Sequence, residues 1–374
     1  MLDLALTETQ QMLRDSARAF LEKEAPKSVL REIENDPLGY SRPLWRKMTN
    51  LGWLGLSFPE TAGGSGGTLI DAGILAEELG RAALPSPYIQ TVVVILALLE
   101  SEGPRSSLIE RILSGDLVVG FTLNGEFSRS KSALEGVRLT STGDGGHRLS
   151  GRKRFVEFGQ AARLLFTTAR TPGDGRLPNN VSILIVDSET EGIEIRKLRT
   201  MGGDPVAEVK FRDVYVSKEQ FLAPVGEGDR IVTSSLDRMT VLRCSSMVGG
   251  ARRVMEMTVE YAKLRAQFGR PIGSFQAVQH MCADMAILVD GAELATREAV
   301  WKVASGRFGE KEVSVAKVFA AEAFRRVTID AAQIHGGIGY MKEYDLNIYY
   351  RRAKTEELLL GDTRTHLERI ADLV

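Results

Sequence analysis

Cysteine is nearly absent from this sequence, and neither sign of charge is in excess. The two cysteines, Cys244 and Cys282, stand among apolar residues of helical periodicity. That setting is typical of buried thiols, so we expect neither a disulfide nor a metal site. The 48 Lys and Arg residues balance 49 Asp and Glu residues, for a net charge of −1. This balance provides no bulk attraction to nucleic acid or to an anionic membrane, and we expect neither partner.

Long apolar runs and a secretion signal are also missing. The longest apolar run, Thr91–Leu99, is too short to span a bilayer. The start MLDLALTETQQ has neither the basic nor the apolar region of a signal peptide. We therefore expect a cytoplasmic protein.

The sequence does contain enough apolar residues for two or three domains, since 43% of its 374 residues are hydrophobic and 26% are charged. The first third is helical in pattern, with a capping box at Thr7 and Gln10 and a helix stop at Pro26. The Gly-rich stretch 57–68 predicts a loop, and helical periodicity resumes at Leu69.

From Asp116 the pattern changes to about seven short runs that are rich in β-branched residues. Their spacing predicts a compact barrel or sandwich. Beyond Gly228 three long stripes of helical period follow, and a last helical region is expected at 358–373, interrupted by Gly361. The predicted fold is therefore α+β and multidomain. It comprises an N-terminal helical domain (1–115), a central β-barrel or sandwich (116–225) and a C-terminal antiparallel four-helix bundle (226–374).

Three segments add motifs to this order of domains. They are LGWLGLSFPETAGGSGG at 51–67, YAKLRAQFGRPIGSFQ at 261–276 and QIHGGIGY at 333–340. Over essentially the whole chain, the domain order and these motifs resemble the acyl-CoA dehydrogenase family. The resemblance implies an FAD-dependent oxidoreductase that dehydrogenates an acyl-CoA at its α,β-bond, in fatty acid or steroid degradation. It also implies a tetramer of homologous subunits and an electron-transfer flavoprotein as the electron acceptor.

The segments 261–276 and 333–340 are called the ADP-side segments below, because they resemble the parts of the family that meet the FAD of a neighbouring subunit. The residues that the resemblance places there are Arg265, Gln267, Phe268, Gln276, Gln333, Gly336 and Gly337. A guanidinium offers a planar fork of donors to a pyrophosphate, and adjacent glycines let backbone approach a cofactor. Taken separately, the same residues form a basic loop at a helix end and a glycine C-cap. His335 has no second ligand at metal-binding spacing, so we expect no metal there.

The family's catalytic glutamate, which removes the α-proton of the substrate, has no counterpart at its most common position. Counting from Arg352-Ala353-Lys354 places Leu360 there, and leucine cannot accept a proton. Its backbone N–H could still polarise a thioester carbonyl. Some family members carry the base on the first bundle helix before an arginine, and here Asp237 and Arg238 fill that pair. Asp237 is thus the candidate base, with Arg238 positioning it or CoA, or both are ordinary polar helix residues.

The flavin cradle, meaning the β-domain residues that meet the flavin in the family, is also altered. Thr122 and Ser128 keep the spacing of the family's threonine and serine, which implies FAD and substrate contacts, but its proline and acidic residue are gone. The family's Trp-Ile-Thr segment is replaced by Phe155, Val156 and Glu157. A carboxylate beside an anionic reduced flavin is electrostatically unfavourable.

Three hypotheses follow from this uneven pattern. In the first, the chain joins a complete homologue in a heterotetramer and lends its ADP-side segments to the partner's FAD. In the second, it is a self-sufficient homotetrameric acyl-CoA dehydrogenase with Asp237 as the base. In the third, it is a non-catalytic CoA- or FAD-binding scaffold subunit.

Overall fold

The computed structural model describes residues 4–101, 105–122, 136–143, 145–170, 181–307 and 309–374. The helices in these ranges are α1 (Glu8–Glu24), α2 (Lys27–Asn35), α3 (Arg42–Asn50), α4 (Leu69–Ala82), α5 (Tyr88–Glu100), α6 (Ser106–Leu113), α7 (Asp229–Leu264), α8 (Gln276–Ala304), α9 (Glu310–His335), α10 (Leu346–Leu358) and α11 (Thr363–Asp372). The strands are β1 (Val119–Phe121), β2 (Arg138–Ser141), β3 (His147–Glu157), β4 (Leu164–Arg170), β5 (Val181–Asp187), β6 (Ile193–Lys197), β7 (Val206–Val216), β8 (Ala266–Gln267) and β9 (Arg270–Pro271).

These elements form two compact units. The helical unit comprises the chain up to Glu32, Thr68–Leu84 and Thr240–Val374. The mixed unit comprises Ile33–Gly67 and Pro85–Met239. The predicted order of helices, β-sheet and helices is confirmed, whereas the domain boundaries proposed from the sequence remain a prediction. No helix in the described ranges is both long and apolar enough to cross a bilayer.

The helical unit begins with the capping box that the sequence predicts. The Thr7 hydroxyl accepts from the Gln10 N–H at 3.3 Å, and the Gln10 side chain accepts from the Thr7 N–H at 3.1 Å. These two bonds satisfy orphan donors of the first turn, so α1 starts where the pattern predicts. The helix ends at Glu24, just before Pro26.

Two glycines let α4 and α7 approach closely within the helical unit. A Cβ at Gly80 would lie 1.9 Å from the Ser246 carbonyl oxygen, and a Cβ at Gly249 would lie 1.9 Å from the Glu77 carbonyl oxygen. Any larger residue would therefore push the helix backbones apart. The crossing fixes the position of Glu77 relative to α7.

The C-terminal part of the helical unit has one helix more than the sequence analysis predicts. The helix α10 ends at Leu358, where a helix was expected to begin, and α11 starts only at Thr363. The expected interruption at Gly361 is confirmed, with a φ of +90°. Lys317 is 1% exposed and donates to the Glu356 carbonyl at the end of α10. It thereby satisfies an orphan carbonyl of that helix, while burial lowers its pKa.

The mixed unit is built on the predicted β-region. Each of the seven β-rich runs contains a strand, and these strands, β1 to β7, form one sheet in the order β1-β4-β2-β3-β7-β6, with β5 on β4. A further pairing of Phe121 with Glu157 joins β1 to β3 and folds the sheet back on itself, so the arrangement is sandwich-like. Alternate residues such as Leu149, Val209 and Phe211 fill its core.

The two cysteines differ in their surroundings. Both are free thiols, and Cys244 is buried on α7, where burial raises its pKa to about 12. Cys282 on α8 is only partly buried. The expectation that both are core residues is thus wrong for Cys282, because the face of α8 that carries it is not fully covered.

Candidate active site

The first ADP-side segment forms a small hairpin after α7. Gln267 pairs with Arg270, so Phe268 and Gly269 are the two central residues of the turn. Their φ angles of +54° and +77° are those of a type I′ turn. Glycine tolerates this conformation and phenylalanine does so only with strain. The ring of Phe268 is 93% exposed at the tip, which is an unfavourable position for an aromatic residue in an isolated subunit.

The second ADP-side segment terminates α9. Gly336 has a φ of +66° and closes the helix through its N–H to the Ala332 and Gln333 carbonyls. No atom of a described residue lies within 4 Å of the position that a Cβ would take at Gly336 or Gly337. These glycines therefore leave open space beside exposed backbone. The C-cap interpretation is confirmed, and the open space is also what the cofactor interpretation requires.

A stack of aromatic rings joins the two ADP-side segments. The centroid of the Tyr261 ring lies 4.2 Å from that of the His335 ring, at an interplanar angle of 22°. The Tyr344 ring also contacts the His335 ring, at a centroid distance of 5.4 Å. The His335 Nδ1 lies 2.8 Å from the Ala331 carbonyl oxygen, so Nδ1 carries the proton and donates. Burial lowers the His335 pKa. The remaining Nε2 is buried and has no partner among the described residues.

The fold leaves the polar groups of the ADP-side segments uncommitted. Arg265, Gln276 and Gln333 are exposed, and their side chains form no hydrogen bond with any described residue. Gln267 contacts only its neighbour, donating to the Ala266 carbonyl at 2.8 Å. A planar cofactor with a pyrophosphate, such as FAD, fits these groups: an aromatic tip, a free guanidinium, amide donors and open glycine backbone. Within the described ranges, no cluster of His, Cys, Asp or Glu could hold a metal ion.

In the flavin cradle, by contrast, the described polar side chain of Thr122 is buried and hydrogen-bonded. Thr122 is 3% exposed, and both its hydroxyl and its N–H donate to the Phe166 carbonyl, at 3.0 and 3.1 Å. Its hydroxyl proton is thus used within the β-sheet. Ser128 lies outside the described residues, so its predicted contact has no structural account. Leu123 and Asn124, which follow Thr122 where the family has its acidic residue and proline, lie outside them as well.

A β-bulge marks the second part of the cradle. The register of β3 on β7 shifts between Lys153 and Val156, and Phe155 within the bulge has a φ of +55°. Its ring is 52% exposed, whereas Glu157 is 5% exposed. The bulge thus turns the Phe155 side chain outward, whereas the Glu157 carboxylate occupies a buried position on the strand.

The Asp237–Arg238 pair lies on α7 within the mixed unit. The Arg238 guanidinium forms an ion pair with Glu100, whose other oxygen accepts from the Ser234 hydroxyl at 3.0 Å. Asp237 is partly buried. The arginine that was expected to orient a base or CoA is therefore held by another carboxylate, and its proposed role remains a prediction.

Leu360 occupies a constrained turn in the helical unit. It is 1% exposed and has a φ of +60°, a left-handed conformation that costs a non-glycine residue about 1–2 kcal/mol. The His366 Nε2 lies 2.9 Å from the Leu360 carbonyl oxygen, and its Nδ1 lies 3.2 Å from the Ser314 hydroxyl. Because the carbonyl can only accept, Nε2 carries the proton and Nδ1 accepts from Ser314. Burial lowers the His366 pKa to about 4.

Several of these residues were not predicted. The Tyr261–His335 stack and the Ser314–His366–Leu360 chain each join helices that are distant in sequence. Neither has a local signal, although the position of Tyr261 at the start of the first ADP-side segment could have suggested a role.

Comparisons with known proteins agree on a single family. The acyl-CoA dehydrogenase N-terminal, middle and C-terminal domain models match residues 7–116, 130–214 and 226–374. The probable acyl-CoA dehydrogenase YngJ of Bacillus subtilis is 32% identical over 99% of this chain and 98% of that protein. A chain of the ChsE4–ChsE5 complex from Mycobacterium tuberculosis has a TM-score of 0.89 at 28% identity, with 99% of this chain and 98% of that chain covered.

A chain of the Tcur3481–Tcur3483 steroid ACAD is similar as well. Its TM-score is 0.87 at 30% identity, and the match covers 98% of this chain and 97% of that chain. Together with the three domain models, these matches extend over nearly the whole length of the sequence. The chain belongs to the acyl-CoA dehydrogenase family of FAD-dependent oxidoreductases, which act on CH–CH bonds.

Proposed function

We propose that this chain is a subunit of a heteromeric acyl-CoA dehydrogenase and supplies the ADP-side half of the FAD site of a homologous partner. The observation that carries the proposal is the exposure of the side chains in the ADP-side segments. Arg265 and Gln333 are exposed, and their side chains form no hydrogen bond with a described residue. The Phe268 ring meets the Phe275 ring edge-on but is 93% exposed, and it stands on a strained turn. Such an exposed, strained aromatic tip is favourable only when something covers it.

The chain's own catalytic position supports the same proposal. Leu360 has no group that can take the α-proton of an acyl-CoA. Its turn is held through its carbonyl by His366, so the backbone is ordered although the base is missing. The base therefore comes from the partner subunit, whose own site carries out the proton abstraction.

Each ADP-side residue has a distinct role in this assembly. Arg265 would place its fork of donors on the pyrophosphate, Phe268 would pack its ring against the cofactor, and the Gly336–Gly337 backbone would approach the ADP portion. When bound, FAD would supply the acceptor for the β-hydride of the substrate. The residues of this chain retain and orient the cofactor and exclude water from its ADP end.

The names of two relatives support a proposal for the class of substrate. The Tcur3481–Tcur3483 protein is described as a steroid ACAD, and the ChsE4–ChsE5 protein is a complex of two differently named chains. By analogy, we propose a bulky acyl-CoA, such as a steroid-derived thioester, as the substrate. An electron-transfer flavoprotein is the proposed acceptor.

Flavin stoichiometry tests the assembly. Flavin absorbance divided by subunit concentration should give little FAD for the chain expressed alone. Co-expression with the homologous subunit should give about one FAD per two chains, because only half of the possible sites have an intact cradle. One FAD per chain in the protein expressed alone would contradict the proposal and favour a homotetramer. Full assembly with the partner but without acyl-CoA-dependent flavin reduction would instead identify a scaffold subunit.

The self-sufficient enzyme remains the second candidate because Asp237 is partly buried and directly precedes an arginine. If Asp237 is the base, Asp237→Asn should abolish flavin reduction by acyl-CoA in the chain expressed alone, with FAD content unchanged, because an amide keeps the shape but cannot take the proton. Ser234→Ala on the same helix is the control. Reduction that survives Asp237→Asn eliminates this candidate.

A further inference from the structure

A cavity within the helical unit is lined by none of the residues discussed for FAD. It lies where the segment 4–6 meets α4, α7 and α8. Its walls are mainly apolar and include Ile74, Val248, Val300 and Trp301. It holds about 590 Å³ together with its opening to solvent, and the enclosed part is much smaller. A ligand there is restricted to a few non-hydrogen atoms with an apolar body.

Two polar groups in the cavity have no protein partner. The side chain of Glu77 forms no hydrogen bond with a described residue, and the hydroxyl of Thr296, which is 3% exposed, has none either. The other short polar side chain of the lining, Ser245, already donates to the Val241 carbonyl at 3.2 Å. A buried hydroxyl without a partner, such as that of Thr296, is unfavourable in a finished core, and the half-buried Glu77 carboxyl has no hydrogen bond to a described residue that would offset its burial. The cavity therefore presents one acceptor pair that a ligand with N–H or O–H donors can satisfy.

The charged residues around Glu77 determine whether a cationic or an anionic ligand is favoured. On α8, Glu293 is held by Arg297 of the same helix and Arg252 of α7. Burial, then Glu293 and Glu78, raise the pKa of Glu77 to about 7, against the opposing effect of the two arginines. Because both guanidiniums are engaged by Glu293, an ionised Glu77 has no paired cation. An anionic ligand is repelled, whereas an ammonium group compensates the carboxylate.

We propose that this cavity binds a small primary ammonium compound whose N–H groups donate to the Glu77 carboxylate and the Thr296 hydroxyl. Its short alkyl chain packs against the apolar wall near Trp301. The site is separate from the ADP-side segments, so it does not depend on the proposed flavin function.

Titration with n-butylammonium tests the site, with calorimetry as the readout and Trp301 fluorescence as a local reporter. The affinity should rise about tenfold between pH 6 and pH 8, because the ionised fraction of Glu77 rises from roughly a tenth to nine tenths around its pKa. 1-Butanol and butyrate should bind at least tenfold more weakly at pH 8. Equal binding of the alcohol, or no saturable binding of the amine, would overturn the proposal.

Variants separate recognition from folding. Glu77→Gln should weaken n-butylammonium binding at least tenfold and remove its pH dependence, and Thr296→Val should weaken it several-fold. Glu298→Gln on α8, at a position that does not line the cavity, is the matched control and should change nothing. Thermal melting shows whether each variant is folded. Unchanged binding in folded Glu77→Gln would sink the proposal.

A second variant fills part of the cavity without replacing any polar side chain. A Cβ at Gly73 would lie 3.4 Å from the Ser245 hydroxyl and 3.5 Å from Val300, which are ordinary contacts. Gly73→Ala should therefore fold and reduce the affinity for n-butylammonium several-fold. If it folds and binds as tightly as the unchanged chain, the ligand is not in this cavity.

Discussion

The ADP-side segments and the flavin cradle use their polar groups in opposite ways. In the first, Arg265 and Gln333 are exposed and bond to no described residue, and Phe268 stands at a strained tip. In the second, Thr122 donates twice to one carbonyl and Glu157 is buried. A side chain that is left free can bind a ligand, whereas one such as Thr122, whose donors are used inside the sheet, contributes to stability. The Leu360 turn, held by His366, belongs to the second kind.

The largest effect expected from this difference is the pH dependence of the His366 contact. The pKa of His366 lies at about 4 in the folded chain, below its ordinary value of 6.5. The unfolded chain therefore takes up a proton first as pH falls, so stability is complete above pH 6.5 and decreases toward pH 4. The loss amounts to about 3 kcal/mol by linkage. Urea unfolding of the chain between pH 7 and pH 4 measures it.

His366→Gln should flatten this part of the pH profile, and His280→Gln, an exposed histidine on α8, should leave it unchanged. A profile that is the same in His366→Gln and in the unchanged chain would mean that this histidine is not held neutral. The hydrogen bond from His366 to the Leu360 carbonyl would then not hold this turn in place.

A smaller effect is expected for Arg265→Ala. The free energy of FAD binding to the assembled oligomer should become about 2 kcal/mol less favourable. The pyrophosphate loses a charge-assisted pair of donors that water replaces poorly. Equilibrium dialysis of the flavin measures the loss, which should be about 30-fold. The melting temperature without flavin should not change, because the Arg265 side chain bonds to no described residue.

Arg270→Ala provides the matched control for the same hairpin. The Arg270 guanidinium lies 4.2 Å from the Phe275 ring and is already in contact with the protein. Its removal should lower FAD retention much less than the removal of Arg265. Equal losses for the two variants would show that the hairpin acts through its overall charge.

The smallest effect, about 1 kcal/mol, is expected for Thr122→Val, and it should appear in stability instead of flavin content. The variant removes the hydroxyl that donates to the buried Phe166 carbonyl, which keeps its bond from the Thr122 N–H. Denaturant unfolding measures the loss, with the exposed Thr140→Val as the control. A loss of FAD from the assembled oligomer without a loss of stability would mean that Thr122 serves the cofactor after all.

Local features of the fold could be predicted from the sequence. The Thr7–Gln10 capping box, the seven β-rich runs and the start of α4 at Leu69 depend on neighbouring residues alone. The end of α10 was missed, because Leu358 is apolar and continues a helical stripe, while the turn at Leu360 depends on contacts from α11.

The candidate site was predictable only as a set of motifs. The sequence identifies Arg265 and Gly336 as cofactor residues by resemblance, and their exposure agrees with that interpretation without testing it. The stack between Tyr261 and His335, and the use of the Thr122 hydroxyl, follow from tertiary packing. No local pattern encodes such contacts, since they join residues that are distant along the chain.

The crossing of α4 and α7 constrains how the chain can be made. Gly80 and Gly249 each fit against a carbonyl of the other helix, yet the whole sequence of the mixed unit, except Ile33–Gly67, separates them. During synthesis α4 emerges long before its partner, and closing so long a loop is slow. The face of α4 that carries Gly73 and Gly80, which the finished fold packs against Ser245 and Ser246 of α7, lacks these partners until then. Nascent chains of this protein are therefore natural clients for a chaperone that binds apolar helices.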